Sequence, residues 1–119
     1  MSQPSSPPAK GFVELPDIES LDRFLAQANG TTAILFKHSN SCGISAGAYE
    51  EMAQFDGQVG LVTVQTARDV SNEIAARTGV EHATPQVFII RDGKSLWTAS
   101  HWQIKAEALR SALLEINSQ

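Results

Sequence analysis

Cys42 is the only cysteine in the 119-residue sequence, and small or polar residues surround it. It follows an apolar run and a four-residue polar loop, and a helical pattern starts at this position. The N-terminus of a helix presents unpaired N–H groups and a partial positive charge, and both stabilise a thiolate. We therefore expect a Cys42 pKa below the value of about 8.5 that free thiols have, and a nucleophile suited to disulfide exchange. A lone cysteine is more often a small buried apolar residue, but this polar segment is a poor place to bury one.

Ser45 stands three residues after Cys42, so the segment CGIS has the spacing of a C-x-x-C redox motif with serine in the second position. A serine hydroxyl can donate a hydrogen bond to a thiolate but cannot resolve a disulfide. His38 and Lys37 end the preceding apolar run and could also help to hold a thiolate, although such residues are more often solvated. The predicted chemistry is therefore exchange through one thiol.

The elements that would position these residues alternate between strand and helix. Asp17 and Asp69 are predicted N-caps, and Asp92-Gly93 is a hairpin turn signal. Strands are predicted over 12–15, 31–37, 60–66, 86–90 and 94–100, and helices over 17–30, 42–55, 69–78 and 105–116. Alternating strands and helices imply parallel pairing, and the final hairpin adds an antiparallel edge. The order matches an α/β protein with a thioredoxin-like fold, in which helices flank a central mixed β-sheet.

Thr84-Pro85 directly precedes the first strand of that hairpin. An ordinary trans X-Pro bond at the start of a strand is one explanation. The thioredoxin-like fold has a cis-proline at this point, and on that hypothesis the Thr84-Pro85 bond is cis and faces Cys42. The backbone of Thr84 could then pair with an extended substrate.

Further substrate contacts are predicted from residues around these two segments. Ser41 and Gly43 flank Cys42, and Trp102 follows the hairpin beside His101. For His101 and Trp102 a strand end packed on a helix is the ordinary explanation, and a part in the chemistry is the alternative. Three scattered histidines and one cysteine do not have the spacing of a metal site.

Composition excludes several classes of protein. With 42% hydrophobic and 18% charged residues the chain is globular, and a net charge of -4 without a basic run argues against nucleic acid or anionic membrane as partners. No apolar stretch approaches the ~18 residues of a membrane span, and the N-terminus does not resemble a signal peptide. A single cysteine cannot form an internal disulfide, which favours the cytoplasm. Residues 1–10 hold three prolines and three serines, so we expect a disordered tail before a domain over 11–119.

Three separated segments carry a family resemblance: FKHSNSCGIS (36–45), RDVSNEIAARTGVEHATPQV (68–87) and DGKSLWTASHWQI (92–104). From about Val13 to Leu114 the sequence resembles the monothiol bacilliredoxins of the bacillithiol system. The resemblance implies a nucleophilic Cys42, a cis-Pro85 and removal of bacillithiol, a small sugar thiol, from mixed disulfides on proteins. No cofactor would be bound, and a separate reductase or a second thiol would be needed. Two residues depart from the family pattern: Gly43 replaces a proline, and Thr63 replaces an aspartate that could handle protons.

Two other functions are compatible with this reading of the sequence. The first is a thioredoxin-fold binding or adaptor module with an inert Cys42, which a pKa near 8.5 or above would favour. The second is a peroxidase that forms a sulfenic acid, for which no motif supplies the donors to the peroxide oxygens.

Overall fold

The computed structural model describes residues 11–28, 30–41 and 43–118, so the predicted tail and Cys42 lie outside the described residues. The strands are β1 (Phe12–Glu14), β2 (Ala33–His38), β3 (Val59–Thr63), β4 (Gln86–Arg91) and β5 (Lys94–Ser100). The helices are α1 (Ile18–Gln27), α2 (Gly43–Ala53), α3 (Arg68–Thr78) and α4 (Ala106–Asn117), and a short 3-10 helix, η1, spans His101–Gln103. None of the described helices has the length and apolar character needed to cross a membrane.

The five strands form one mixed sheet in the order β1-β3-β2-β4-β5. The pairs β1·β3 and β2·β3 are parallel, and β4·β5 is the predicted antiparallel hairpin. The expectation that β4 continues the parallel arrangement is wrong, because β4 runs antiparallel to β2. The physical reason is the connector over 79–85, which is long enough to bring the chain from the end of α3 back to the edge where β2 ends.

The sheet separates two apolar layers, and successive residues of β2 alternate between them. Ile34 and Phe36 face α2 and α4, whereas Ala33 and Leu35 face α1 and α3. The first layer also includes Met52, Val87, Ile89 and Leu109, and the second includes Leu21, Phe24, Val70, Ile74 and Phe88. An apolar run that is buried on both faces was the basis for predicting a central strand here, and this prediction is confirmed.

The predicted cap at Asp17 is confirmed, whereas the predicted cap at Asp69 and the predicted end of β3 are wrong. The Asp17 side chain accepts a 2.8 Å hydrogen bond from the Ser20 N–H and caps α1 as predicted. Asp69 is not the N-cap of α3, because the helix already begins at Arg68 and the Asp69 carboxylate accepts from the adjacent Val70 N–H. β3 ends three residues earlier than predicted, because the Thr63 carbonyl accepts from Thr66 and Ala67 and turns the chain.

Two hydrogen bonds link α4 to α2. The Glu51 carboxylate of α2 accepts a 2.9 Å hydrogen bond from the Ala106 N–H, the first N–H of α4. The Arg110 guanidinium donates to the Gln54 carbonyl near the end of α2. The N-cap residue of α4 is Lys105, and its side chain makes no capping hydrogen bond. Glu51 therefore does from another element what an N-cap residue normally does, and its negative charge suits the positive end of the helix.

We predict that Glu51→Ala lowers the free energy of unfolding by about 1 kcal/mol, because it removes the only side-chain acceptor at that end of α4 in the described structure. Urea denaturation would measure the change. Glu51→Gln keeps an acceptor oxygen and should lose less. Glu50→Ala, at an exposed neighbour on α2, is the matched control. An equal loss in Glu50→Ala would show that the effect comes from removing any carboxylate of α2 and not from capping, since helix propensity alone would favour alanine.

Candidate active site

Three chain segments meet at the sheet edge where β2 and β3 end and β4 begins. His38 pairs with Thr63 of β3, and Lys37 pairs with Gln86 of β4. Residues 39–41 leave this edge and lead to α2, which begins at Gly43, directly after Cys42. A helix that follows Cys42 is therefore confirmed. Cys42 itself was predicted as the first helical residue, and that position lies outside the described residues.

Ser45 lies in the first turn of α2 and is fully buried. Its hydroxyl oxygen accepts a 2.8 Å hydrogen bond from the Ser39 N–H and lies 2.9 Å from His38 Nδ1. His38 in turn packs against the ring of Tyr49 on α2, with centroids 5.0 Å apart. The structure thus brings together the predicted His38 and Ser45, and ties both to the loop that leads to Cys42.

The protonation of His38 decides what the Ser45 hydroxyl can do. Burial lowers the pKa of His38 by more than its contact with Ser45 raises it, so the ring is neutral near pH 7. A neutral imidazole offers one donor and one acceptor nitrogen. If Nδ1 is the acceptor, the Ser45 proton is committed to the ring. If Nδ1 carries the proton, Ser45 accepts from both His38 and Ser39, and its own proton is free. The predicted donation to a thiolate therefore requires the Nδ1–H tautomer.

Gln65 holds the loop before Cys42 from the side of β3. Its amide nitrogen donates to Ser39 Oγ at 2.7 Å and Ser41 Oγ at 3.0 Å, and its carbonyl accepts from the Asn40 N–H at 3.3 Å. One side chain thus fixes three consecutive residues, including the predicted substrate contact Ser41. Sequence reasoning missed Gln65 because it placed residues 60–66 in a strand, where the side chain would not reach this loop.

The Thr84-Pro85 peptide bond is cis, as predicted from the fold. Pro85 is buried and Thr84 is half-buried at the start of β4. The Pro85 carbonyl accepts from the His101 N–H, which joins this segment to η1. Gln86 is also buried, and its side-chain amide forms two hydrogen bonds with the connector: it accepts from the Ala83 N–H and donates to the Glu81 carbonyl. The predicted contact of Pro85 with Cys42 lies outside the described residues.

Trp102 lies on η1 and is 71% exposed. With His101 it lines one side of a groove of about 210 Å³, and Ile44 and Gly47 of α2 line the other. The ordinary explanation, a strand end packed on a helix, holds in part, because β5 ends at Ser100 and the short helix η1 that follows contacts α2. The side chains of His101 and Trp102 are nevertheless exposed, and His101 has a left-handed backbone with φ 55°. An exposed indole next to the first turn of α2 is compatible with the predicted substrate contact.

Lys37 does not join the group around Ser45, because alternation along β2 points it to the other side of the sheet. Its side chain is fully buried beside the Phe88 ring, and Nζ lies 3.2 Å from His82 Nδ1. Burial lowers the pKa of Lys37 to about 8. The signal was available in the sequence: Lys37 continues the buried positions Ala33 and Leu35 at a spacing of two.

The two departures from the family pattern have different structural settings. At Gly43 an added Cβ would meet no atom of the described residues within 4 Å, apart from its chain neighbours, so the site has room for a Cβ. Proline is common at the first position of a helix. Thr63 is half-buried and pairs with His38, so the expected carboxylate would lie next to the imidazole. Within the described residues, no three His, Cys, Asp or Glu side chains are grouped closely enough to hold a metal ion.

A model of the monothiol bacilliredoxin family BrxC matches residues 13–109 of the sequence. The chain belongs to this family. The match covers the segments around Cys42, Pro85 and Trp102 from which the resemblance was drawn.

Solved structures agree on the fold of this bacilliredoxin. A protein provisionally described as an oxidoreductase with a thioredoxin fold is 30% identical with a TM-score of 0.80, covering 86% of this chain and 93% of the other. A poplar thioredoxin h mutant is 18% identical with a TM-score of 0.71, covering 99% and 92%. The thioredoxin of Fasciola hepatica is 17% identical with a TM-score of 0.62, covering 86% and 96%. The last two show the fold alone. Family and fold together indicate a redox role through thiol–disulfide chemistry.

The buried amine of Lys37 gives the stability of this bacilliredoxin a pH dependence of known sign. Its pKa is lower in the folded chain than in the unfolded chain, so the unfolded chain binds more protons between about pH 8 and pH 10.5. The amine therefore penalises folding fully below about pH 8, and the penalty is relieved as pH rises through that window.

We predict that Lys37→Met is more stable than the natural protein at pH 7, and that this advantage shrinks by about 2–3 kcal/mol between pH 7 and pH 10. Urea unfolding of both proteins at the two pH values would measure it. Lys94→Met, at an exposed lysine of β5, is the control for general effects of lost charge. An advantage of Lys37→Met that is the same at both pH values would contradict the assigned pKa.

Proposed function

We propose that this bacilliredoxin removes a low-molecular-weight thiol, bacillithiol, from mixed disulfides on proteins by exchange at Cys42. Membership of the monothiol bacilliredoxin family is the observation that carries the proposal. The local structure supports it: α2 begins directly after Cys42, and the first N–H groups of a helix have no partners within the helix. These groups favour a thiolate at the position before them.

The reaction is an exchange of partners between sulfur atoms. The Cys42 thiolate attacks the sulfur of the small thiol in the mixed disulfide, and a new bond forms between Cys42 and the small thiol as the old sulfur–sulfur bond breaks. The target protein leaves as a thiolate and takes a proton from water. A second small thiol or a separate reductase then attacks the disulfide on Cys42 and regenerates the thiol.

The proposed substrate contacts come from three segments of the chain. Ser41 and Gly43 flank it, Thr84 offers backbone groups to an extended target, and Trp102 offers an exposed aromatic face beside α2. Because the exchange needs reduced thiols, we place the reaction in the cytoplasm, with proteins that carry mixed disulfides as partners.

The test is intact mass spectrometry, which is unambiguous because the chain has one cysteine. The reduced protein is incubated with a model protein carrying bacillithiol on a single cysteine. We expect one bacillithiol to move to Cys42 and the model protein to return to its free mass. Parallel incubations with oxidised bacillithiol and oxidised glutathione test which small thiol is accepted.

Cys42→Ser is the matched control and should neither remove the small thiol nor gain mass. Equal modification of Cys42 by oxidised glutathione and oxidised bacillithiol would contradict the assignment of bacillithiol. No transfer from either, together with an alkylation midpoint of Cys42 at or above about pH 8.5, would favour the adaptor module with an inert cysteine.

Ser45→Cys should convert this one-thiol site into a two-thiol site. Residues 42 and 45 have the spacing that places side chains on the same helix face, and the Ser45 side chain is buried against the loop before Cys42. We predict that the introduced thiol attacks the mixed disulfide on Cys42, expels the small thiol and forms an internal disulfide. Mass spectrometry after loading with an oxidised small thiol would show both changes.

Ala53→Cys, at the exposed far end of α2, is the control and should retain the small thiol. Retention in Ser45→Cys for as long as in the natural protein would mean that the Cα atoms of residues 42 and 45 are not held within the separation of about 4.4–6.8 Å that disulfides usually require.

A further inference from the structure

A buried lysine without a carboxylate partner needs an explanation, because charged side chains are rarely buried unless they are paired. Lys37 is fully buried, and in the described part of the chain no ion pair includes it. Its amine lies 5.6 Å from the centre of the Phe88 ring and 3.2 Å from His82 Nδ1. The imidazole is therefore its one polar contact with another side chain among the described residues.

His82 connects this amine to the residue before the cis-proline. Nδ1 faces Lys37 Nζ and also lies 3.1 Å from Ser71 Oγ, while Nε2 lies 3.0 Å from Thr84 Oγ1. Both ring nitrogens are thus engaged. Burial and the charge on Lys37 lower the pKa of His82, so the ring is neutral above pH 7 and carries a single proton on one of these nitrogens.

On the basis of the proposed thiol exchange, we propose that His82 is a positioning residue: it couples the buried Lys37 amine to the Thr84 hydroxyl, so that the proton on Lys37 sets the direction in which that hydroxyl donates. The juxtaposition Lys37–His82–Thr84 carries this proposal. It assigns a role to three residues that lie on the face of β2 opposite His38 and Ser45.

The coupling follows from donor and acceptor counts. A charged ammonium can only donate, so His82 Nδ1 must accept from it and the ring proton must sit on Nε2. Nε2–H then donates to Thr84 Oγ1, and the Thr84 hydroxyl proton is free to point away from the ring. A neutral amine can accept from Nδ1–H, so Nε2 loses its proton and accepts from the Thr84 hydroxyl. Nδ1 has one lone pair, so in the first state it goes to the ammonium and the Ser71 hydroxyl proton points elsewhere. In the second state Ser71 Oγ can share the Nδ1 proton with the amine.

The consequence falls on the sheet edge where the exchange is proposed. Thr84 stands beside Pro85, and β4 begins there against the last residues of β2, which lead to Cys42. With Lys37 charged, Thr84 presents an outward hydrogen-bond donor to an incoming mixed disulfide or its peptide carbonyl. With Lys37 neutral, that donor is turned inward.

Other charged groups do not account for the coupling. β3 and β4 contribute Val62 and Phe88 to the surroundings of the amine, and α3 contributes Ser71, none of which titrates. The charged residues nearest along the chain are Arg68 and Asp69 on α3 and Glu81 in the connector, and all three are exposed. In the described structure none of them forms an ion pair or a side-chain hydrogen bond with Lys37 or His82. Glu73 is paired with Arg77.

The direct test is the tautomer of His82, read from the 15N chemical shifts of its ring nitrogens in the natural protein. We expect the Nε2–H form at pH 7 and the Nδ1–H form at about pH 9.5, on either side of the Lys37 pKa of about 8. In Lys37→Met the tautomer should be the same at both pH values. One unchanged tautomer in the natural protein would overturn the proposal, whatever the exchange activity proves to be.

The second test is the pH profile of small-thiol transfer to Cys42, divided by the rate at which Cys42 is alkylated at each pH to remove the effect of thiolate content. We expect the ratio to fall about five- to tenfold from pH 7 to pH 9.5 in the natural protein, the worth of about one hydrogen bond. Thr84→Val should give a low, flat ratio, because the donor is gone. His82→Ala should give a flat ratio that stays near the pH 7 value, because no ring nitrogen turns the Thr84 hydroxyl inward. Thr84→Ser should keep the fall.

The two tests distinguish a failure of the proposed function from a failure of the role proposed for His82. A natural protein that alkylates but transfers no small thiol at any pH contradicts the proposed function and leaves the tautomer measurement to decide on His82. A flat ratio in the natural protein, or a Thr84→Val variant with the natural profile, contradicts the role of His82 while the proposed function stands.

Discussion

The pairing of β2 on both sides up to its last residues is the constraint on which the site depends. β3 holds His38 and β4 holds Lys37, so the strand cannot end early or slip without flipping every side chain to the other layer. The apolar alternation of β2 makes such a slip costly, since Phe36 and Leu35 would exchange layers. A fixed strand end gives a fixed start to the loop over 39–41, and Gln65 then holds that loop where it enters α2.

The same alternation places polar chemistry on both faces of one strand end. His38 reaches Ser45 on the side of α2, and Lys37 reaches His82 on the side of α3. A buried polar group without a partner costs about 1–3 kcal/mol, so each of these contacts is needed where it occurs. Ser45 and His38 satisfy each other's hydrogen bonds while both are neutral. Among the described residues, Lys37 has only an imidazole and an aromatic ring to offset its charge. This difference is why the titration of Lys37, and not that of His38, has a large expected effect on stability.

Most of the fold could be predicted from the sequence because periodic segments carry their own signal. The central strands, the four helices, the cap at Asp17 and the hairpin at Asp92-Gly93 all follow from local patterns. The direction of β4 could not be predicted that way, because it depends on the path of the irregular connector over 79–85. Several polar contacts likewise join residues that are far apart in the sequence. Gln65 bonds a residue 24 positions away, His82 contacts Lys37 at 45 positions and Thr84 at 2, and Glu51 bonds a residue 55 positions away. Nothing in the neighbouring sequence of Gln65, His82 or Glu51 indicates these contacts.

The second position of the C-x-x-S segment has a structural task that bears on the proposed exchange. Ser45 holds the Ser39 N–H and faces His38 Nδ1, so its hydroxyl braces the loop that leads to Cys42. A thiol in this place would be a poorer acceptor for that N–H, since sulfur forms only weak hydrogen bonds. A resolving cysteine and a firmly braced loop thus compete for one buried position. With serine there, the proposed release of the small thiol from Cys42 is intermolecular. On that proposal, specificity depends on the surface that a second thiol or a reductase reaches, for which Trp102 and Thr84 are the proposed contacts.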